Sequence, residues 1–205
     1  MSEKISIPYK FSKHEHTIIG SYFSTHTDWE KSIFDDIQEN LKEHLRVQQD
    51  NKCCYCKREL GFDIKEVDIE HIIPKSRFEK FTFHHKNLAL SCPGCNTKKS
   101  TSCVLLNVSI TNYPSSGSNF KIIHAYYDDY STHIKVDDGC IYIAKSKKGS
   151  ETITICELFR LSTAEENAKK FKISQSPMSQ LVENMRKAKT ESPELFEELK
   201  MLLNG

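Results

Sequence analysis

At 205 residues the chain is long enough for one well-buried core, or a small core with extensions. A net charge of +1 with 28% charged residues neither demands nucleic acid nor excludes it. Eight cysteines without a signal peptide or a long apolar run exclude a membrane-spanning protein and argue against a secreted disulfide framework, so a reducing, cytoplasmic setting is expected.

Residues 1–26 are mixed in character, with Ile5, Ile7, Tyr9 and Phe11 alternating as a short strand would. Thr27 and Glu30 have capping-box spacing, and behind them Ile33, Ile37, Leu41 and Leu45 recur every four residues. This predicts an amphipathic helix over 28–48 that packs on the core rather than presenting its stripe to a partner.

The stretch Cys53 to Lys99 organises the rest. Cys53-Cys54-Tyr55-Cys56 and Cys92-Pro93-Gly94-Cys95 are two Cys-x-x-Cys knuckles, separated by 35 residues. Cysteines two apart in a tight turn can point at one ion, so Cys53, Cys56, Cys92 and Cys95 supply the four thiolates of a closed zinc site. The spacer exceeds the roughly 15–20 residues of an ordinary zinc ribbon, so something is held between the knuckles. Val67 to His71 alternates like a strand, which puts Asp68 and Glu70 on one face, and Pro74 ends it. Residues 75–90 read as a loop with Phe78, Phe81 and Phe83 beneath it, and a helix is expected to start near Asn96. Cys54 reads as a bystander, and Cys103, Cys140 and Cys156 as small buried apolar residues.

Val104 to Ile110 is a candidate strand, followed by a turn-rich loop over 112–119. Ile134–Val136 and Ile141–Ile143 flank Asp137-Asp138-Gly139-Cys140, a hairpin signal, and Lys145 to Gly149 reads as a basic solvated turn. Thr152 to Ile155 fits a strand or the start of a helix. Helices are expected from Ser162, Pro177 and Ser192, so the chain beyond 157 is mainly helical. His84 and His85 read as exposed loop residues. His124, Asp128, Asp129 and His133 fit no ligand spacing and are assigned to structural hydrogen bonding.

The fragments Glu70-His71-Ile72-Ile73-Pro74, Asn87-Leu88 and Cys95-Asn96-Thr97-Lys98-Lys99, framed by the knuckles, resemble the HNH (ββα-metal) endonucleases. His71 to Asn87 is sixteen positions and Asn87 to Asn96 nine, similar to the spacing of that family. The resemblance implies an α+β fold: a ββα-metal core stapled by a four-cysteine zinc site, flanked by N-terminal and C-terminal helices. It also implies hydrolysis of DNA phosphodiesters with Mg²⁺ or Mn²⁺. His71 would be the general base, since a neutral imidazole can accept a proton from water near pH 7. Glu70 and Asn96 would hold the divalent ion, with Asp68 a substitute for Glu70, and Asn87 would brace the loop facing His71, where a backbone carbonyl sets the imidazole tautomer. Lys75, Lys98 and Lys99 are placed to meet phosphates. Glu rather than Asp before the histidine, and Asn rather than His at the last position, depart from the commonest pattern.

With the looser run from His124 through Glu151 to Ile153, the chain is similar to the PtuB-like HNH subunits of Septu and retron-type anti-phage systems. That similarity implies an ABC-type ATPase as partner. Residues 1–49, 50–110 and 111–205 are expected as an N-terminal segment, the nuclease core and a hairpin-plus-helix extension of one unit. Two other classes compete: an inert zinc-stapled module that binds nucleic acid or protein, and a thiol–disulfide protein. The knuckles lie outside any βαβ context, which disfavours the last.

Overall fold

A computed structural model describes residues 4–164, 166, 167, 180 and 201. The chain divides into two compact units, Met1–Phe159 and Arg160–Gly205. In the second, residues 160–164 are helical, and the helices expected from Pro177 and Ser192 lie outside the described residues.

The first unit is α+β, and its centre is a ββα arrangement. Strand β1 (Asp68–His71) pairs antiparallel with β2 (Leu88–Ser91), with Asp68 opposite Ser91 and His71 opposite Leu88. Helix α3 (Pro93–Lys99) follows at once. It starts three residues before the expected position, because the Cys92 sulfur caps it by accepting from the Cys95 amide and Pro93 needs no amide partner at the first turn. Strand β2 is buried at all four positions, so both of its faces are covered.

Two helices precede this core. Helix α1 (Lys13–Tyr22) was not expected, although Ser12-Lys13-His14-Glu15 is a capping box and closes as one: Glu15 N donates to Ser12 Oγ, and Ser12 N to Glu15 Oε2. Residues 4–12 form no strand; Ile5 N donates to Ala125 O, and Lys4 pairs with Asp129. Helix α2 (Asp35–Gln48) is shorter than the predicted 28–48. Asp28 accepts from the amides of Ser24 and Thr25, so a short 3-10 turn closes on Thr25 rather than Thr27, and extended Lys31 separates it from the helix. Ile37, Leu41 and Leu45 are buried as their period requires, while Ile33 is exposed and Phe34 takes the interior place. Phe34, Trp29, Phe23 and Phe11 converge on Phe83, joining both helices to the loop between β1 and β2.

Behind the core, residues 104–110 make only an isolated bridge, Leu105 to Phe120. After the single turn α4 (Tyr130–His133), β3 (Ile134–Asp137) and β4 (Ile141–Ala144) form the expected hairpin, with Asp138 and Gly139 both at positive φ in its turn. The supposed basic turn is the first turn of α5 (Lys147–Ile155), capped by Ser146. A Cβ at Gly149 would meet the His133 carbonyl at 2.0 Å, so glycine is what lets α5 approach the hairpin.

Candidate metal centre and catalytic cleft

Strand β2 brings the two knuckles together. Its Leu90 carbonyl accepts the Cys54 amide, and its C-terminal end runs directly into Cys92. Lys57 at positive φ closes the first knuckle, with Cys53 N bonded to Arg58 O and Lys57 N to Cys53 O. The sulfurs of Cys53, Cys56, Cys92 and Cys95 lie within 4.8 Å of one another, and they are the sole such cluster among the described residues. Cys56 Sγ and Cys92 Sγ are 3.9 Å apart, close to the ~3.8 Å edge of a tetrahedron with metal–sulfur bonds of about 2.3 Å. All eight cysteines are free thiols, and Cys54 stays outside the cluster. Burial raises the Cys53 thiol, but donors from Cys54, Cys56, Cys92 and Cys95 outweigh it and hold Cys53 well below the usual range. That thiolate in turn pushes Cys56 and Cys95 up. Four sulfurs this close ionise together only around a cation, so the donor set and its spacing fit a soft, tetrahedral ion.

The second site is a cleft of about 580 Å³ between β1, α3 and the 26–30 turn. Its floor follows from matched periods. Asp68 and Glu70, two apart, share one face of β1; Asn96 and Lys99, three apart, share one face of α3. The faces meet pairwise. Asn96 Nδ2 donates to Asp68 Oδ2 at 2.8 Å, and Lys99 Nζ pairs with Glu70 Oε1 at 2.5 Å. Glu70 Oε1 also accepts from Tyr55 OH at 3.0 Å. Burial raises the Glu70 carboxyl, against the pull of Lys99 and Tyr55, which favour its charged form.

His71 sits beside this floor, 7% exposed. The backbone of Thr82 lies near its ring and favours the protonated form. Nε2 is buried without a hydrogen-bond partner. Burial, with Lys75 and Lys99 nearby, pushes the imidazole down to about 3, so it is neutral across the physiological range. The Trp29 ring meets it edge-on at 4.6 Å.

Asn87 lies further back, fully buried. Its Oδ1 accepts from Ile73 N, and its Nδ2 donates to Ile73 O and Phe81 O, which clamps both ends of the β1–β2 loop. Tyr113 OH contacts the same Oδ1 and receives His124 Nε2, because His124 Nδ1 accepts from Tyr126 N. His124 and Asp128 are thus engaged in hydrogen bonds; Asp128 holds Lys148 and the His124 amide.

The expected lysines separate. Lys75 reaches the cleft but binds Glu30 at 2.8 Å and His26 O at 3.5 Å, and Lys98 pairs with Glu157 at 2.8 Å. Lys99 corrects the expectation of a phosphate contact: at 1% exposure its ammonium is taken by Glu70 and by the His71 carbonyl at 2.8 Å. The carboxylate that faces Asn96 is Asp68, not Glu70. Trp29, Thr82, Tyr55 and Tyr113 were not singled out as site residues. Tyr55 stood inside a knuckle and Trp29 beside a helix cap, but a backbone carbonyl such as that of Thr82 leaves no mark in a sequence.

Residues 53–102 match the family model for HNH endonuclease. The chain is 30% identical over 121 residues to Septu protein PtuB of Bacillus thuringiensis, covering 59% of this chain and 42% of that protein. It therefore spans less than half of that relative's length. No solved structure matches. Among the described residues no helix is long and apolar enough to cross a membrane.

Proposed function

We propose, on the premise that residues 53–102 carry an HNH endonuclease core related to PtuB, that this protein hydrolyses DNA phosphodiester bonds with a divalent ion. The observation that carries the reading is His71: a neutral imidazole in the lining of a polar cleft that Asp68 and Asn96 also line. A neutral imidazole held beside hard oxygen donors can take a proton from water without first losing one.

The neutral His71 imidazole takes the proton of the attacking water. Asp68 and Asn96 offer the hard oxygen donors that suit Mg²⁺ or Mn²⁺, with phosphate and water completing the shell. When bound, such an ion neutralises charge on the phosphoryl and leaving oxygens. Asn87 braces the loop that carries the Thr82 carbonyl, and Glu70 acts through Lys99. Because Trp29 borders His71, and Lys75 is tied to Glu30 on the same turn, an incoming phosphate competes for Lys75 where the base is covered. Lys98 stands on the exposed side of α3, available to the backbone of a bound strand. Cys53, Cys56, Cys92 and Cys95 hold structural zinc.

The similarity to Septu protein PtuB supports a place in a Septu-type system; we propose that the chain is its nuclease, acts in the cytoplasm and works with an ABC-type ATPase. The test is nicking of supercoiled plasmid against Mg²⁺ and Mn²⁺, with and without that ATPase. We expect little cleavage by the lone chain at physiological salt. His71→Ala should lower turnover by ~10²–10⁴ with binding intact. Asn96→Ala should be partly rescued by higher Mn²⁺. Equal cutting by His71→Ala would leave an inert zinc-stapled module as the better reading.

A further inference from the structure

The first knuckle is joined to the catalytic strand by a buried polar chain. Tyr55 OH donates to Glu70 Oε1, Lys99 Nζ bonds the same oxygen, and Lys99 Nζ also donates to the His71 carbonyl. Tyr55 is 2% exposed and Glu70 and Lys99 are each 1% exposed. At the knuckle end the chain is anchored again: the Tyr55 carbonyl accepts from Tyr130 OH at 2.7 Å, and the Cys56 carbonyl from Tyr142 OH at 2.8 Å.

Holding an ion pair in such a place is costly. Two charges stripped of water repay their desolvation only with further hydrogen bonds, and an apolar pair of similar volume commonly serves stability as well or better. Stability alone therefore gives little reason for Glu70 and Lys99. What the pair adds is direction, because it places a donor on the main-chain oxygen of the residue that carries the base. His71 is then held on both sides of its peptide: its carbonyl by Lys99, and the next amide, Ile72 N, by the Asn87 carbonyl.

We infer that Tyr55, Glu70 and Lys99 are positioning residues, a relay through which the geometry of the first cysteine knuckle sets the backbone, and so the imidazole, of His71. This rests on the nuclease reading for its effect on turnover, but not for its effect on the ring. It separates the two halves of the family motif: Glu70 serves as the counter-ion of Lys99, and the ion-facing carboxylate is Asp68.

The test is the paired substitution Glu70→Gln with Lys99→Met, which removes both buried charges together, alongside Tyr55→Phe, which removes only a hydroxyl. Zinc content, kcat and KM for plasmid nicking in Mn²⁺, and the imidazole ¹⁵N–¹H spectrum of His71 are measured for each. The paired variant should keep its zinc and a KM within about twofold of the parent. Its kcat should fall on the order of 100-fold, the cost of a catalytic group misplaced by about 1 Å. The His71 imidazole signals should shift or broaden. Tyr55→Phe should show the same pattern with a fall of a few fold. A paired variant with parental kcat and an unchanged His71 spectrum overturns the relay; if that variant does not fold, an unchanged Tyr55→Phe does so instead. Should the parent cut nothing, the nuclease reading fails separately, and the imidazole spectra alone decide the relay.

Discussion

The four-cysteine cluster and the cleft share helix α3 yet are built on opposite principles. In the cluster, four like groups crowd within 4.8 Å, and no arrangement of protein atoms alone can satisfy four thiolates there. In the cleft the polar side chains pair with one another: Asp68 with Asn96, Glu70 with Lys99 and Tyr55, Lys75 with Glu30. His71 Nε2 is buried without a partner. The cluster therefore fits an ion, whereas the cleft is hydrogen-bonded without one and keeps one buried nitrogen unpartnered.

The sharpest way to break that comparison is to remove a cluster ligand. Cys92→Ser should abolish the soluble fold, because the ~10–16 kcal/mol of a structural zinc site is folding energy. Metal analysis should find close to one zinc per parent chain and none in the variant, whose circular dichroism should show no cooperative melt.

The cleft answers to acid instead. His71 is lowered from 6.5 to about 3, so the folded state binds fewer protons than the unfolded one between those values. Stability should be complete above pH 6.5 and fall as pH drops toward 3, by on the order of 5 kcal/mol at about 1.4 kcal/mol per pH unit. Urea melts of the parent and of His71→Gln between pH 7 and 4 measure it as a difference. Zinc loss in acid acts on both proteins and cancels. An identical pH slope in the two would mean that the ring is hydrated in solution.

How much of this was legible in the sequence follows the same division. The knuckles, the Asp68–His71 strand and the Asp138-Gly139 hairpin are local patterns in which covalent spacing sets the geometry, and each was read in place. The partners of Glu70 and Lys99 were not, because the choice between Asp68 and Glu70 depends on how α3 registers against β1. That register shows only in contacts between residues far apart in the chain, Asn96 on Asp68 and Lys99 on Glu70. Helix α1 was legible through its capping box and missed because its apolar face is weak: Glu15 is the sole buried residue of α1.

Asn87→Ala tests the bracing inside the cleft. It leaves Ile73 N, Ile73 O and Phe81 O without the partner they share. We expect a loss of about 2–4 kcal/mol, from buried backbone groups left unpaired. For a unit of this size that lowers Tm by roughly 5–15 °C. Cleavage should fall less than in His71→Ala, since the base is misplaced rather than deleted. Calorimetry and nicking rates on the same preparation check both halves.

The smallest effect lies at the rim. Lys75 spends its ammonium on Glu30, whose side chain is 75% exposed, so the pair is a solvent-screened one and contributes less than about 1 kcal/mol. Glu30→Gln should leave melting almost unchanged. It frees Lys75 for phosphate, and it removes a carboxylate from the cleft that repels the DNA backbone. Affinity for duplex DNA should rise a few fold at low salt, and the steepness of its salt dependence should increase by about one counterion. Lys75→Gln should move both quantities the other way. If the two variants instead bound DNA alike across a salt titration, Lys75 would only fasten the 26–30 turn, and the phosphate contact would belong to Lys98 alone.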